Sequence, residues 1–591
     1  MHQSNFNKTK QIRMRTKYIH IICFSLALLM SFHSLAQEQI VNDSLDPQLV
    51  RVVKPYSPKI SDAFKLKQLP SLENQEILNN KSIDYTIFSF PVASIFTPAK
   101  SKSIGLEQLK KERKFSNVAA LSVGNYTNIN GDLFLNKSIA KGRLISAYLS
   151  HQSSQGGIKD LFLDDLFSEN TAQLKYNVTQ GNKNWNVRAA AQRYMSHWYG
   201  LSTNADTAPT QSFNTKQIVS VFQINGSLSL NQGLVEDAEV EAYTLSDDYD
   251  SNESRAQFNT QLKLDVLDKS LETQFGLSFL KGSFKEGFAA NQVFDYGNLG
   301  VSFSPKFKFN LSSFNITAGF KVVYFDDNER SKQTLHVYPK ITTSYDVVDS
   351  IFIAYAGVEG DLDQNTYRDL YLENPFIAPT LNILPTSMPY KLFVGTKGKL
   401  ANSVSYDASA VFSRQNDAVL FQKNGIQSNL NNQPFRYGNS FGVVYDDIET
   451  FTVQGSLFFQ FNNSLNITTK ASFSSYGLDN EDEAWNLPKI QASLEMRYQP
   501  TNRLNLGFQG YYFGKRFDLQ KTDISQENQS PKTTALDAFI DLNVDASYSL
   551  TPKWSLTLKL NNILGRNYQR WMDFPVQRAQ VSAGAFYKFD F

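Results

Sequence analysis

The chain has 591 residues, with 58 basic and 56 acidic side chains, a formal net charge of +2 and a mean hydropathy of −0.35. This balance does not indicate a nucleic-acid partner, since such proteins usually carry a strongly basic face. The only cysteine is Cys23, so we predict neither a disulfide framework nor a cysteine metal site. We also predict no cofactor, because the sequence has no glycine-rich nucleotide loop and no CxxC pair.

Residues 1–36 have the features of a secretory signal peptide. Basic residues precede the apolar run Ile21–Met30, and the small residues Ser34 and Ala36 occupy the −3 and −1 positions of a cleavage site. The alternative is a membrane anchor, but the apolar run is about half of the ~20 residues that a spanning helix needs. We therefore expect an exported protein that lacks residues 1–36 when mature.

Residues 37–115 predict an extended, basic, proline-rich segment. Six of the 19 prolines of the chain lie here, at positions 47, 55, 58, 70, 91 and 98. Proline lacks a backbone donor and opposes continuous helix or central strand. We expect at most one short helix, over 104–115, before the next region begins.

The last residues alternate strictly between two kinds of side chain. Every second residue from Val581 to Phe591 is apolar or aromatic, and most of the residues between them are small or charged. Successive side chains of a strand point to opposite faces, so this is a strand with one apolar face. The segments 491–498, 541–550 and 553–561 alternate in the same way.

The connections between these strands also alternate in length. Short turns are predicted at 462–464, 500–502 and 551–553, and long polar loops at 476–489, 516–533 and 564–578. This asymmetry is typical of an outer-membrane β-barrel, whose apolar face is covered by lipid. We predict an all-β, transmembrane antiparallel barrel of about 22 strands over 116–591, with 435–461 forming either one long strand or two. The alternative is a soluble all-β adhesin.

The C-terminal region resembles a known family. The run from Asn562 to Tyr568, its proline-containing loop and the final strand resemble the last two strands of TonB-dependent outer-membrane receptors, and residues 118–153 resemble their opening strands. The resemblance implies an outer-membrane barrel for nutrient transport or binding. It also implies a C-terminal signal read by the barrel-assembly machinery, carried by these residues: Ser582, Gly584, Tyr587, Phe589 and Phe591. The segment near 52–58 further resembles envelope proteins of Bacteroidota.

One feature of that family is not predicted for this chain. Receptors of this kind carry an N-terminal plug of some 130 or more residues, whereas residues 37–115 are shorter and lack its signatures. Residues 49–55 could serve as a TonB box that adds a strand to TonB; a plain tether to another envelope protein is the favoured alternative. A barrel of this size has a wide lumen, so we expect residues 37–115, inward loops or another subunit to fill it.

Three groups of polar residues are candidates for chemical sites. His151 and Ser153 have the His-x-Ser spacing of outer-membrane phospholipases, but no third partner is identifiable, and a polar strand end is the favoured interpretation. His197, beside Tyr194, Trp198 and Tyr199, is predicted to belong to an interfacial aromatic girdle. Acidic loop residues are predicted to be solvated rather than calcium ligands: Asp247, Asp248, Asp250, Asp479, Glu481, Asp482 and Glu483. We therefore predict no enzyme.

Two functions remain open from the sequence. The first is a transport barrel derived from TonB-dependent receptors, which passes or binds a nutrient across the outer membrane. The second is a non-transporting barrel that serves as a structural or partner-binding subunit of an outer-membrane complex. The barrel pattern favours the first, and the missing plug signatures favour the second.

Overall fold

The computed structural model describes residues 115–591 apart from 160, 202–212, 267–268, 290–291, 349–350, 428–432, 462–463 and 522–529. The predicted signal peptide and the segment 37–115 lie outside these residues, except for Phe115. Within them, no helix is long and apolar enough to cross a membrane. The described residues contain helix α1 (Tyr367–Glu373).

The strands are β1 (Asn117–Gly124), β2 (Ile129–Ala140), β3 (Arg143–Ser154), β4 (Phe167–Gln180), β5 (Lys183–His197), β6 (Lys216–Leu230), β7 (Val235–Asp247), β8 (Asn252–Val266), β9 (Lys269–Phe284), β10 (Phe294–Leu311), β11 (Phe314–Asp327), β12 (Lys332–Val348), β13 (Phe352–Asp363), β14 (Thr386–Ala401), β15 (Val404–Lys423), β16 (Phe441–Phe461), β17 (Leu465–Leu478), β18 (Ile490–Thr501), β19 (Leu504–Phe513), β20 (Arg516–Gln520), β21 (Lys532–Leu536), β22 (Phe539–Ser549), β23 (Trp554–Asn561), β24 (Gln569–Trp571), β25 (Phe574–Pro575) and β26 (Gln580–Phe589).

Twenty-two of these strands form one closed antiparallel sheet. The last strand, β26, pairs with β1 in a continuous register from Asn117 opposite Phe589 to Gly124 opposite Ser582. Closure leaves no sheet edge with unpaired backbone groups. The predicted all-β barrel of about 22 strands is therefore confirmed, and the ambiguous segment 435–461 contributes one strand, β16.

The two ends of the barrel differ in the length of their connections. At one end, the turn end, neighbouring strands are joined by two to four residues, as at 550–553. At the other, the loop end, connections such as 364–385 and 562–579 are much longer. Two connections that we predicted as loops contain small hairpins of their own, β20–β21 and β24–β25, which form sheets separate from the barrel.

The outward face of the barrel is apolar and the inward face is polar. On β22 and β23, Tyr548 and Leu558 are exposed, whereas Asp541 and Ser555, of the opposite parity, are buried. Polar groups of the inner wall pair with each other, as Arg497 Nη1 does with Asp545 Oδ2 at 2.8 Å. Alternation along each strand thus places an apolar surface around a polar lumen.

Exposed aromatic side chains surround the turn end. They come from many strands and lie within a few residues of a turn: Phe314, Tyr345, Phe352, Phe461, Tyr498, Tyr548 and Trp554. The C-terminal residues continue this ring, since the ring of Tyr587 lies 4.6 Å from that of Trp554 and Phe589 stacks on Tyr587 at 5.6 Å. Phe591 is 72% exposed and contacts Phe589. Aromatic rings in this arrangement favour a membrane–water interface.

Two glycines permit β1 and β26 to meet. A Cβ atom on Gly584 would lie 2.3 Å from the carbonyl oxygen of Leu121, and one on Gly124 would lie 2.4 Å from that of Val581. Both distances are shorter than any contact between non-bonded atoms permits, and the obstacle is backbone rather than a flexible side chain. The Gly584 position of the C-terminal motif is therefore required by closure itself.

We predict that a lysine on the outward face of β23 destabilises the barrel in a bilayer and that one on the inward face does not. Leu558→Lys should reduce the free energy of unfolding of the vesicle-embedded barrel by about 2–4 kcal/mol, because the cation would lie in hydrocarbon. Thr557→Lys is the matched control on the adjacent, inward position. Equal losses for both variants, measured by urea titration of vesicle-embedded protein, would contradict the face assignment.

Candidate functional site

The connections at the loop end fold inward and form a buried cluster, which we call the mouth core. It is rich in aromatic residues and joins strand ends to several loops. Its buried members include Trp198, Tyr199, Phe284, Tyr367, Phe376, Phe435, Phe441, Trp571 and Phe574. Packing of this kind requires the loops to leave the outer rim and meet over the lumen.

Helix α1 lies against the inner wall of the barrel. Thr366 caps its first turn by accepting the backbone N–H of Asp369 at 3.0 Å, and Asn374 ends it with a bond to the carbonyl of Leu370. The guanidinium of Arg368 donates to Gln223 Oε1 at 2.8 Å. Gln223 faces the lumen, because its neighbours in β6, Phe222 and Ile224, are both exposed on the outward face. The loop 364–385 therefore enters the barrel.

A buried carboxylate holds this helix to the wall. Glu253, near the start of β8, is 0% exposed. It accepts the backbone N–H groups of Tyr367 at 2.6 Å and Arg368 at 3.1 Å. It also accepts the hydroxyls of Tyr243 at 2.8 Å and Tyr296 at 2.7 Å. Four donors satisfy the two oxygens of Glu253, and two of these donors are backbone N–H groups of the first helical turn, which have no partner within the helix.

The opposite side of the mouth core is built by the last long loop. The ring of Phe574 stacks on that of Phe376 with centroids 3.9 Å apart, and the ring of Trp571 lies 5.4 Å from that of Phe441. Tyr199 OH donates to the carbonyl oxygen of Pro575 at 3.0 Å. The loops 364–385 and 562–579 thus meet each other across the lumen.

Charged groups are buried between the loops as well. Asp518 of β20 accepts the backbone N–H of Lys423 at 3.0 Å and the amide of Asn486 at 3.0 Å. Burial raises the pKa of the Asp518 carboxyl to about 6. Between other loops, Arg436 donates to the carbonyl of Gly287 at 2.9 Å and pairs with Glu286. These contacts hold further loops of the rim to one another.

The predicted girdle around His197 is wrong. His197, Trp198 and Tyr199 are all buried in the structure. Trp198 packs on Tyr249 and Phe435 of other connections, and Tyr194 packs on Tyr371 of α1. The aromatic cluster looked interfacial in the sequence because nothing there indicates that loops distant in the chain fold onto it.

The acidic loop residues take part in loop contacts. Asp247 accepts the backbone N–H groups of Tyr249 at 2.8 Å and Ser251 at 2.9 Å, and the hydroxyl of Tyr367 at 3.0 Å. The neighbouring Asp248 is exposed, and Asp250 pairs with Lys285.

In the second acidic loop, Asp479 accepts from Arg414 Nη2 at 2.8 Å, and Glu481 accepts from Trp485 Nε1 at 2.6 Å. Asp482 is exposed and Glu483 is half-buried. Contacts to backbone, arginine and tryptophan thus engage several of these carboxylates, which we expected to be solvated.

The structure supplies the third partner that the sequence did not identify for His151 and Ser153. His151 Nε2 lies 3.0 Å from Ser153 Oγ, and its Nδ1 lies 2.7 Å from Asn170 Oδ1. Asn170 is on β4, directly opposite His151 of β3 in the strand register. No local motif marks this asparagine, because the pairing depends on how the two strands are aligned.

No family model and no curated protein matches this sequence. Several solved structures nevertheless have a similar fold. The FrpB iron transporter of Neisseria meningitidis (F3-3 variant) superposes with a TM-score of 0.62 at 11% identity, over 81% of this chain and 82% of that chain. The outer-membrane ferripyoverdine receptor of Pseudomonas aeruginosa, bound to ferripyoverdine, gives 0.57 at 12% identity, over 81% and 72%. The ferric-catecholate import receptor Fiu of E. coli gives 0.56 at 10% identity, over 81% and 82%.

These structural neighbours are TonB-dependent receptors, the family that the C-terminal region resembles. They are transporters or receptors rather than enzymes. At 10–12% identity, the likeness shows that this chain shares their barrel fold.

We predict that Glu253→Gln loosens α1 from the wall. Each oxygen of Glu253 accepts one backbone N–H of the helix and one tyrosine hydroxyl, and the amide NH2 of glutamine cannot accept either. Losing the bond to the helix alone costs about 1.5–3 kcal/mol, which corresponds to at least ~10-fold to 100-fold faster opening. Amide hydrogen exchange of the Tyr367–Glu373 peptide in the detergent-solubilised barrel should accelerate by this factor. Glu239→Gln, at an exposed position of the neighbouring strand β7, is the control and should leave the exchange rate unchanged. An unchanged exchange rate in Glu253→Gln would show that the carboxylate does not hold the helix.

Proposed function

We propose that this chain is an outer-membrane barrel for the uptake of a small nutrient, with its loop end outside the cell and its turn end in the periplasm. One observation carries the proposal: an apolar outward surface encloses a polar lumen whose loop end is spanned by a folded core. An apolar outer surface of this extent is stable in lipid. A polar lumen gives a route through the membrane for a polar solute.

The structural neighbours support this role. Those described above are named for iron transport, for binding ferripyoverdine and for ferric-catecholate import, and a further one, OprC, is named a copper transporter. What they carry is a property of those proteins. For this chain, we propose only the shared general role, uptake across the outer membrane of a Gram-negative cell. The sequence resemblance near residues 52–58 favours a Bacteroidota source.

We propose that residues 1–36 are removed on export and that residues 37–115 act as lumen filler or as a tether to an envelope partner, in place of a receptor plug. The prolines of this segment oppose a compact helical or strand-rich domain. TonB binding through 49–55 is the alternative, and it requires that segment to add a strand to its partner. The mouth core already provides one set of inward loops above the lumen.

The second candidate is a non-transporting barrel that serves as a structural or partner-binding subunit. The close packing of the mouth core favours it, because Phe376, Phe441 and Phe574 leave little room between loops from opposite sides. An uptake barrel requires a path that opens when its occupants are removed, so the absence of such a path would exclude the first candidate.

We predict that removing those occupants creates a wide channel. The full chain should show little conductance in planar bilayers. A variant that lacks residues 40–100 and has 367–382 replaced by a short glycine–serine linker should conduct strongly, since a barrel of ~22 strands has a wide lumen. Two further variants, one lacking only residues 40–100 and one with only 367–382 replaced, identify which segment closes the path.

Two outcomes separate the alternatives. If deletion of 40–100 alone leaves conductance unchanged but removes a co-purifying envelope protein, this segment is a tether. If the doubly altered barrel stays folded but does not conduct, the uptake role is wrong and the structural role is favoured. Heat-modifiable migration on a gel shows that each variant is folded.

We propose that Ser582, Gly584, Tyr587, Phe589 and Phe591 form the signal read by the barrel-assembly machinery. When the full chain is expressed, the processed protein should fractionate with the outer membrane, and its N-terminal sequence should begin after residue 36. Changing Tyr587 and Phe589 together to serine should reduce the folded barrel recovered in that fraction several-fold. Val581→Ser, exposed on the same face of β26, is the control. Equal recovery of all three proteins, or wild-type protein in the soluble periplasm, would refute the assignment.

A further inference from the structure

His151, Ser153 and Asn170 lie on the outward face of the barrel. Leu149, two residues before His151 on β3, is 50% exposed on that face, while Ser150 and Gln152 of the opposite parity are buried. Asn170 shares the outward face because it is directly opposite His151. All three residues are close to the loop end of their strands. In the proposed orientation, they lie where the outer leaflet meets water.

The hydrogen bonds of this group have a defined direction. Asn170 Oδ1 can only accept, so Nδ1 of His151 must donate to it. In the neutral imidazole, Nε2 is then an acceptor, and Ser153 Oγ–H donates to it at 3.0 Å. This is the relation of nucleophile, general base and orienting group that activates a serine hydroxyl. Polar residues that only interact with water at a strand end do not require this chain of hydrogen bonds from serine to histidine to asparagine.

An apolar groove of about 830 Å³ runs along the barrel wall beside this group. Two residues closer to the turn end than His151, the strand register forms one row across four strands: Leu149, Ala172, Ala191 and Phe222. The small Ala172 and Ala191 leave space between Leu149 and Phe222. His151 and Asn170 line the same groove. The volume is in the range of small-molecule sites, and the lining suits a hydrocarbon chain.

We propose that Ser153, His151 and Asn170 form a hydrolytic site for ester-linked acyl chains of membrane lipids. Ser153 Oγ attacks the ester carbonyl carbon, and His151 Nε2 accepts the hydroxyl proton. The bond from that carbon to the lipid alcohol oxygen breaks, and His151 returns the proton to the departing oxygen. Water then attacks the acyl-serine with His151 again as base, which releases a fatty acid and regenerates Ser153.

A cation lies beside the group to meet the lipid headgroup. Arg193 of β5 is directly opposite Asn170, is exposed and lines the groove. A guanidinium binds phosphate through paired N–H donors. Phospholipids and lipid A both combine phosphate with ester-linked acyl chains, so the site chemistry admits either source. The proposal depends on the membrane placement given above but not on uptake through the lumen.

The test uses the full chain, folded and reconstituted in vesicles. One set contains phosphatidylethanolamine and phosphatidylglycerol, and the other contains lipid A. Mass spectrometry should detect free fatty acid, and a fluorophosphonate probe should label Ser153. Ser153→Ala and His151→Ala should each lower the rate by at least about 10³-fold. Ser168→Ala, on the same face and opposite Ser153, is the control and should retain the wild-type rate.

Asn170 and Arg193 have separate readouts. Asn170→Ala should lower kcat. Asn170→Asp should keep much of the wild-type kcat, because a carboxylate also accepts a hydrogen bond from His151 Nδ1–H. Arg193→Gln should raise KM for phosphate-bearing lipid and leave kcat unchanged. The vesicle set that releases fatty acid identifies the source of the chain.

Two results overturn the site. One is a folded barrel that releases no fatty acid from either vesicle set. The other is release that persists in Ser153→Ala. If the barrel conducts after removal of its lumen occupants but gives either of these results, the uptake proposal still stands and only the hydrolytic site is wrong.

Discussion

Backbone hydrogen bonding in an apolar surrounding is the constraint on which the rest of this structure depends. A strand whose outward face is covered by hydrocarbon cannot give its N–H and C=O groups to water, so every strand needs two neighbours. The pairing of β26 with β1 meets that need for the last strand and the first. It is possible because Gly584 and Gly124 let the two backbones approach. The C-terminal sequence thus serves closure directly.

Closure creates a wide lumen, and loops at one end of the barrel fold into it. Residues 364–385 and 562–579 fold inward, where aromatic rings from distant parts of the chain bury each other. A helix as short as α1 would be marginal on its own. Glu253 compensates by accepting backbone N–H groups of the first turn, and the tyrosines around it satisfy the remaining lone pairs. The mouth core is therefore a tertiary structure supported by the barrel wall.

The wall separates two kinds of chemistry. Inside, the wall carries charged pairs such as Arg497 with Asp545, and the mouth core packs across the loop end. Outside, near the loop end, His151 connects a serine hydroxyl to an amide beside an apolar groove. Strand alternation produces both, since residues one position apart face the lumen or the lipid. The proposed uptake role and the proposed lipid-directed role therefore use opposite faces of the barrel wall.

The period of two in segments such as 541–550 and the contrast between short and long connections were sufficient to predict an antiparallel barrel of about 22 strands, because alternation and turn length are local properties. The mouth core was not predictable. Trp198 and Phe435 meet only after loops distant in the chain fold inward, so His197 was wrongly assigned to a girdle. Asn170 likewise joins His151 only through the register of β3 with β4. Residues of one strand are related by sequence spacing, whereas residues of different strands are related by alignment, which tertiary structure alone decides.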